Sequence, residues 1–298
     1  MKKICNILFA FALITIVYCT ADYLIPTSVG SKKAQAVTFD DVDNCRQLGG
    51  YCNRQGKKVK SGVLVRSGQL CKLTDEGKLA LSKMGVKTVI DLRIPEEIMA
   101  KPDPKLDGVK YVRINLADPK CKFYLMSKWG VGVTSENYDS VVTAIAKTNM
   151  DLGEMYIEGV VESDYGRNAL KQVFSLLANH KDGAILWHCS GGKDRTGIVA
   201  ALLLSVLDVD RETILNDYEL TNDFVQGERL VMKFASLFFG DTDKEKLCVA
   251  TIAGVRRDFM AATLSYIDLH YGSPLQFLRT QCGVTDTEIQ RIKNNYLE

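Results

Sequence analysis

Histidine is scarce in this 298-residue chain. His180, His188 and His270 are the only three, too few for a His-rich metal centre. Proline is scarce too, six in all, and no Pro/Gly/Ser-rich linker, low-complexity tract or repeat interrupts residues 37–298. That stretch therefore reads as one domain. No apolar run reaches the ~20 residues a membrane-spanning helix needs. Neither sign of charge dominates: 38 Lys+Arg stand against 36 Asp+Glu, a formal net charge of +2. The balance argues against a polybasic nucleic-acid binder. With 25% charged and 46% hydrophobic residues, disorder, collagen and a polytopic membrane protein are excluded as well. No Cys-x-x-Cys and no zinc-like Cys/His spacing occurs, so no metal and no cofactor is expected.

The N-terminus has its own pattern. Lys2 and Lys3 precede an apolar run from Ile7 to Val17, the n-region and h-region of a secretory signal. Ala34-Gln35-Ala36 offers a small-x-small cleavage site, and Cys19-Thr20-Ala21 a nearer one. Residues 1–36 are thus expected to be a signal peptide cut after Ala36, or else after Ala21. The alternative is an uncleaved anchor helix from Ile4 to Ala21. In either case the remainder is expected outside the cytosol, secreted or held at the cell surface. Removing 1–36 takes away four Lys and Asp22, leaving 34 basic against 35 acidic residues and a net charge of −1. No global basic field remains, so any anion binding has to be local.

Residues 37–298 read as an α/β domain with a mainly parallel sheet flanked by helices and a helical C-terminal half. Strands are expected at 62–66, 88–92, 111–116 and 184–188. Thr74 caps a helix that places Gly77, Ala80, Leu81 and Met84 on one face and stops at Gly85. Leu170, Val173, Phe174 and Leu177 share the face of another helix. The stretch 197–207 is apolar all round, which predicts a buried helix. Thr285-x-x-Glu288 is a capping box opening the last helix. Residues 117–160 show no readable period.

The chemistry concentrates between the strand at 184–188 and the helix from 197: His188-Cys-Ser-Gly-Gly-Lys-Asp-Arg195-Thr-Gly197. Cys with Arg six positions later is weak alone, since roughly 0.4 such pairs are expected by chance. Adding His before the Cys and Thr-Gly after the Arg lowers the expectation to about 2 in 100,000. These residue types suit a phosphate. Ser190, Gly191 and Gly192 let backbone N–H groups turn inward as a nest, and the following helix adds its positive end. Arg195 can grip two oxygens at once. The same field favours the thiolate of Cys189, which could attack phosphorus to form a phosphocysteine. Thr196 is placed to hydrogen-bond the sulfur. His188 is expected to orient the loop backbone rather than move protons.

With these residues the chain resembles the cysteine-based phosphatases with a Cys-x5-Arg loop, and among them the bacterial exported tyrosine and phosphoinositide phosphatases with a Gly-Lys-Asp-Arg-Thr-Gly loop. The likeness includes Arg46-Gln-Leu-Gly-Gly50, Arg66-Ser-Gly-Gln-Leu70, Val89-Ile-Asp-Leu-Arg93, Asp217-Tyr-Glu-Leu-Thr-Asn222 and Tyr271-Gly-Ser273. It departs at Cys45-Arg46-Gln47, where that family usually has Phe-Arg-Asp, so no role can be given to an acid there. The resemblance implies a tyrosine-phosphatase-like fold and a metal-independent phosphomonoesterase acting on phosphorylated protein or phosphoinositide.

A leaving alkoxide or phenolate needs a proton. Asp194, inside the loop, is one candidate source; Asp118 and Asp164 are the others. The bland reading of Asp194 is a carboxylate paired with Lys193 or capping the next helix. Lys193 is either a solvated loop residue or a second cation suited to substrates with several phosphates. Asp91 and Arg93 read as a salt-bridge network behind the sheet. The apolar stretch Phe234 to Phe239 is either a lid or core. Cys45 and Cys52 could form a disulfide or remain thiols. Two other functions share the pattern: an inactive phosphatase fold that binds phosphorylated ligands, and an inositol-phosphate phosphatase.

Overall fold

The computed structural model describes residues 42–131, 151–225 and 254–298, with residues 140, 143, 242 and 243 besides. The expected signal segment and the Phe234–Phe239 stretch lie outside the described residues.

The chain enters through a two-residue strand, β1 (Arg46–Gln47), antiparallel to β2 (Leu64–Ser67). Helix α1 (Asp75–Lys83) leads to β3 (Val86–Asp91), and α2 (Pro95–Ala100) to β4 (Lys110–Arg113). Then come α3 (Lys122–Val131), α4 (Leu152–Tyr156) running into a π-helical turn at Ile157–Val161, and α5 (Asp164–Asn179). Strand β5 (Ala184–His188) is followed by α6 (Asp194–Val206) and α7 (Arg211–Phe224). Helices α8 (Arg257–Tyr271), α9 (Pro274–Thr280) and α10 (Asp286–Tyr296) close the chain.

The sheet order is β1-β2-β5-β3-β4, parallel except for β1. β5 therefore lies at the centre, so the loop leaving its C-terminal end sits at the middle of that edge of the sheet, where open α/β sheets bind ligands. Side-chain alternation along the strands builds two cores. Leu64, Ile90, Ile185 and Trp187 face the large helical layer of α5 to α10, and Val65, Val89 and Leu186 face α1. Both faces are covered, which is why the central strands read as unbroken apolar runs.

Helix α1 starts where expected: Thr74 Oγ1 accepts from the Gly77 amide at 3.2 Å. The face of α5 carrying Leu170, Val173, Phe174 and Leu177 is buried. The Thr285–Glu288 capping box forms, with Thr285 N donating to Glu288 Oε2 at 2.8 Å. Several boundaries differ: β2 runs Leu64–Ser67 against the expected 62–66, and β3 runs Val86–Asp91 against 88–92. β4 ends at Arg113 although Ile114 and Leu116 are buried past it, because an edge strand stops when its one neighbour, β3, ends at Asp91. α6 begins at Asp194, three residues before the expected Gly197, since the phosphate-type loop feeds into it without a spacer. β1, α2, α3 and α4 were not legible as elements beforehand.

Candidate active site

Cys189 is the first residue after β5, and its side chain is buried. The loop behind it is held by its own backbone: Ser190 O accepts from Gln69 N at 2.9 Å, and His188 O from Leu92 N at 2.9 Å. Gly192 has φ +64, and a Cβ there would stand 2.5 Å from Ser67 C and O and 2.6 Å from Gly68 N. Only glycine fits this approach of loop to β2. At Gly191 an added Cβ would meet nothing harder than the Lys193 side chain, at 3.2 Å.

The carbonyl of Gly192 points back into the protein, where Arg66 Nη2 donates to it at 2.9 Å and Asn44 Nδ2 at 2.8 Å. Arg66 Nη1 binds Asp217 Oδ2 at 2.7 Å, and Arg46 Nε binds Asp217 Oδ1 at 3.2 Å. Tyr51 donates to the same Oδ1 at 3.1 Å, and Arg46 also donates to Asn44 Oδ1. All these charges are buried. Burial alone would raise the Asp217 carboxyl pKa, but the two guanidiniums hold it below its usual range. Burial, with Arg46 nearby, brings Arg66 down to about 10. The network is two cations on one anion, so a net positive charge sits behind the loop.

Arg195 lies in the first turn of α6 and is buried. Both of its terminal nitrogens are committed to Glu97 of α2: Nη1 to Oε2 at 2.6 Å and Nη2 to Oε1 at 2.8 Å. Glu97 also accepts from Ser190 Oγ at 2.6 Å and from the Ile94 amide at 2.9 Å. Burial opposes ionisation of Glu97, yet Arg195 keeps its pKa below the usual carboxylate range. Burial likewise opposes the Arg195 charge, and Glu97 more than compensates, raising its pKa. Arg195 Nε is buried without a partner.

Asp194 accepts a hydrogen bond from the Tyr156 hydroxyl, which lies 3.1 Å from the Tyr218 hydroxyl. Lys193 is 8% exposed, with Nζ directed to Gly254 O at 3.4 Å, so it is not a solvated loop residue. Thr196 Oγ1 is buried and makes no hydrogen bond; the expected bond to the sulfur is absent from this structure. Trp187 instead takes the Thr196 carbonyl, at 3.2 Å.

On the other face of the sheet, Arg93 binds Asp91 at 2.8 Å and Asp103 at 2.7 Å, the network expected there. His188 Nδ1 lies 3.2 Å from Cys189 O. Its Nε2 stands 3.1 Å from Asp103 Oδ2 but out of line for a hydrogen bond. Asp91, Asp103 and His188 have the spacing of a cation site, but Arg93 already fills the space between the carboxylates.

The other two acids have these surroundings. Asp118 accepts from Ser163 Oγ and from the Lys120 amide at 2.9 Å. Asp164 is 97% exposed and faces Arg167 at 3.7 Å. Gln47, at the departure from the family pattern, accepts from the Gly62 amide through its Oε1. Cys45 and Cys52 are thiols with no disulfide, one buried and one exposed; burial pushes the Cys45 thiol up to about 12. Among the described residues no helix is long and apolar enough to cross a membrane.

Glu97 and Tyr156 had gone unread. Glu97 stands three residues after Ile94 and follows Pro95 in a first helical turn, a start signal that could have marked it. Tyr156 carries no comparable signal.

Comparison with known proteins shows the family. The model of the tyrosine phosphatase family matches residues 37–298. A tyrosine-protein phosphatase of Nostoc commune is 30% identical over 256 residues, covering 82% of this chain and 79% of that one. The triple specificity protein phosphatase PtpB of Mycobacterium tuberculosis is 28% identical over 258 residues, 79% and 91% of the two chains. The solved P. aeruginosa TpbA in complex with pTyr aligns over 68% of this chain and 96% of its own at 15% identity, with a TM-score of 0.27, too low to bear on this site. From the loop geometry and the match across residues 37–298, this chain belongs to the tyrosine phosphatase family, the cysteine-based phosphatases.

Proposed function

We propose that the protein is an exported phosphatase that hydrolyses phosphomonoesters through a phosphocysteine on Cys189, without a metal. The observation that carries this is the pairing of Cys189 and Arg195 across one loop. The loop closes on the N-terminus of α6, and Arg195 is fixed there by both oxygens of Glu97. Phosphate would occupy the nest of Ser190, Gly191, Gly192, Lys193, Asp194, Arg195 and Thr196 amides, with Arg195 Nε as an uncommitted donor.

The thiolate attacks phosphorus; the S–P bond forms as the P–O bond to the leaving group breaks. Asp194 gives the leaving oxygen its proton. Water then attacks phosphorus and returns a proton to Asp194, and the S–P bond breaks to release phosphate and restore the thiolate. Asp194 is preferred to Asp118 and Asp164 because it stands on the loop itself, at the start of α6, while Asp118 accepts from Ser163 and Lys120 and Asp164 lies at the solvent.

Phosphotyrosine in proteins is the first substrate class, in keeping with the family. Phosphoinositides are the second. That reading rests on Lys193, a second cation whose stem packs against Gly191 of the loop, and on a relative described as having triple specificity. Export rests on the pattern of residues 1–36, ahead of a family match that begins at residue 37.

The test is hydrolysis of p-nitrophenyl phosphate in EDTA by wild type and Cys189→Ser. Wild type should be active and the variant inactive. Activity retained by the variant, or a requirement for added metal, defeats the reading. Phosphotyrosine peptides, phosphoserine peptides and phosphoinositide vesicles then rank the substrate classes.

A further inference from the structure

We propose that Tyr156 is a positioning residue for Asp194, fixing which carboxyl oxygen carries the proton delivered to the leaving group. The inference rests on the phosphocysteine reading above and deepens its least determined step.

Tyr156 ends α4, 38 residues before Asp194 in the chain. It is fully buried, and its ring packs edge-on against Phe123 with centroids 5.5 Å apart. The hydroxyl is therefore held by a fixed ring rather than by a mobile surface side chain. It meets two groups, Asp194 Oδ1 and the Tyr218 hydroxyl. A carboxylate only accepts, so the Tyr156 proton must point at Asp194, and Tyr218 must then donate to Tyr156. The chain of donors has one direction: Tyr218 to Tyr156 to Asp194.

Tyr218 is anchored too. A Cβ on Gly197, one turn into α6, would stand 2.9 Å from its ring carbons Cδ2 and Cε2. Ring and helix touch directly, which fixes the far end of the chain to the helix that carries Asp194. With Oδ1 occupied as an acceptor, Oδ2 is left to hold the proton. It goes to the leaving oxygen as the P–O bond breaks, and is replaced from the attacking water in the second step.

Neither phenol competes as the proton source. Burial, then the charge of Asp194, drives both hydroxyl pKa values well above the ordinary tyrosine range, so both stay neutral donors. Among the described residues, the other charged or titratable groups facing this cluster are the following. Arg195 and Cys189 belong to the same loop. Lys193 precedes Asp194 directly. Arg66 from β2 and Asp258 from α8 act on Tyr218.

Tyr156→Phe removes the hydroxyl and keeps the ring. It should slow hydrolysis of phenyl phosphate, whose leaving group needs the proton, by roughly tenfold or more, within the range of general-acid effects. p-Nitrophenyl phosphate, with a stable leaving group, should slow less than about threefold. In an Asp194→Asn background, Tyr156→Phe should change either rate by no more than about twofold, since its partner is gone.

Equal slowing of both substrates, or an undiminished effect in the Asp194→Asn background, overturns the proposal. Should Tyr156→Phe fail to fold, Asp194→Asn alone decides: a leaving-group dependence equal to that of wild type overturns it. Activity in Cys189→Ser is a separate outcome and defeats the underlying reading instead.

Discussion

Glu97 holds Arg195 with both carboxylate oxygens, at 2.6 and 2.8 Å, and the same carboxylate reaches Ser190 on the far side of the loop. One acidic residue from a six-residue helix thus sets the conformation of both arms of the phosphate nest. The pair is buried, and burial makes it an obligation as much as a gain, because either charge left alone would be costly. The first prediction follows. Glu97→Gln should lower stability by roughly 1–3 kcal/mol, since the shape survives but a buried guanidinium loses its counter-charge. It should also cut kcat/KM by about a hundredfold, as expected when a binding group is misplaced by an ångström or so. Inorganic phosphate should raise the Tm of the variant more than that of wild type, by supplying the missing anion. Thermal melts with and without phosphate check this. A variant with wild-type kcat/KM would show that the Arg195 position does not depend on Glu97.

The two loop glycines should differ sharply. Gly192 has a positive φ and no room for a Cβ between itself and the Ser67–Gly68 backbone, whereas the space at Gly191 is bounded by a flexible lysine stem. Gly192→Ala should cost roughly 3 kcal/mol or more through strain and overlap, and should abolish hydrolysis. Gly191→Ala should fold with less than about 1 kcal/mol of loss. Urea titrations of the two variants measure the contrast, and equal losses would contradict it.

How much of this was legible beforehand depends on the range of the interactions. β5, α6 and the loop between them were readable because apolar run, glycine pair and helix start are adjacent in the sequence. Thr74 and Thr285 announced their helices by local capping chemistry. What the sequence hid is long-range. Arg46, Arg66 and Asp217 lie in three separate motifs, and only folding shows that they meet behind Gly192. Tyr156 lies inside a stretch with no period, and its contact with Asp194 appears only when α4 is seen beside α6. Thr196 is the instructive case: its place in the loop suggested a bond to the sulfur, yet its hydroxyl is buried without a partner.

Processing at the N-terminus gives a third prediction. A positive n-region, an 11-residue apolar core from Ile7 to Val17, and Ala34-Gln35-Ala36 predict, on the reading proposed above, a mature protein that starts at Val37. Intact-mass and N-terminal sequencing of protein recovered outside the cells should find Val37 first. A chain beginning at Asp22 would move the cut to the nearer site. Full-length protein in the membrane fraction would replace cleavage with an anchor.

The last prediction concerns acid stability. Asp217 pairs with both Arg46 and Arg66, and those guanidiniums hold its pKa low against the opposing effect of burial. A carboxyl whose pKa is lower folded than unfolded binds fewer protons in the native state. It therefore contributes stability at pH values above its unfolded pKa of about 3.9, and that contribution is lost as pH falls through the folded value. Glu97 and Asp91 are depressed in the same direction, so wild type should lose stability steeply as pH falls from about 5 toward 3. Asp217→Asn should be less stable at pH 7 by roughly 3–5 kcal/mol, because two buried guanidiniums are left facing each other. Its decline between pH 5 and 3 should be shallower, because one of the titrating groups is gone. Urea unfolding of both proteins at several pH values separates the two effects, and parallel curves would show that Asp217 does not drive the acid limb.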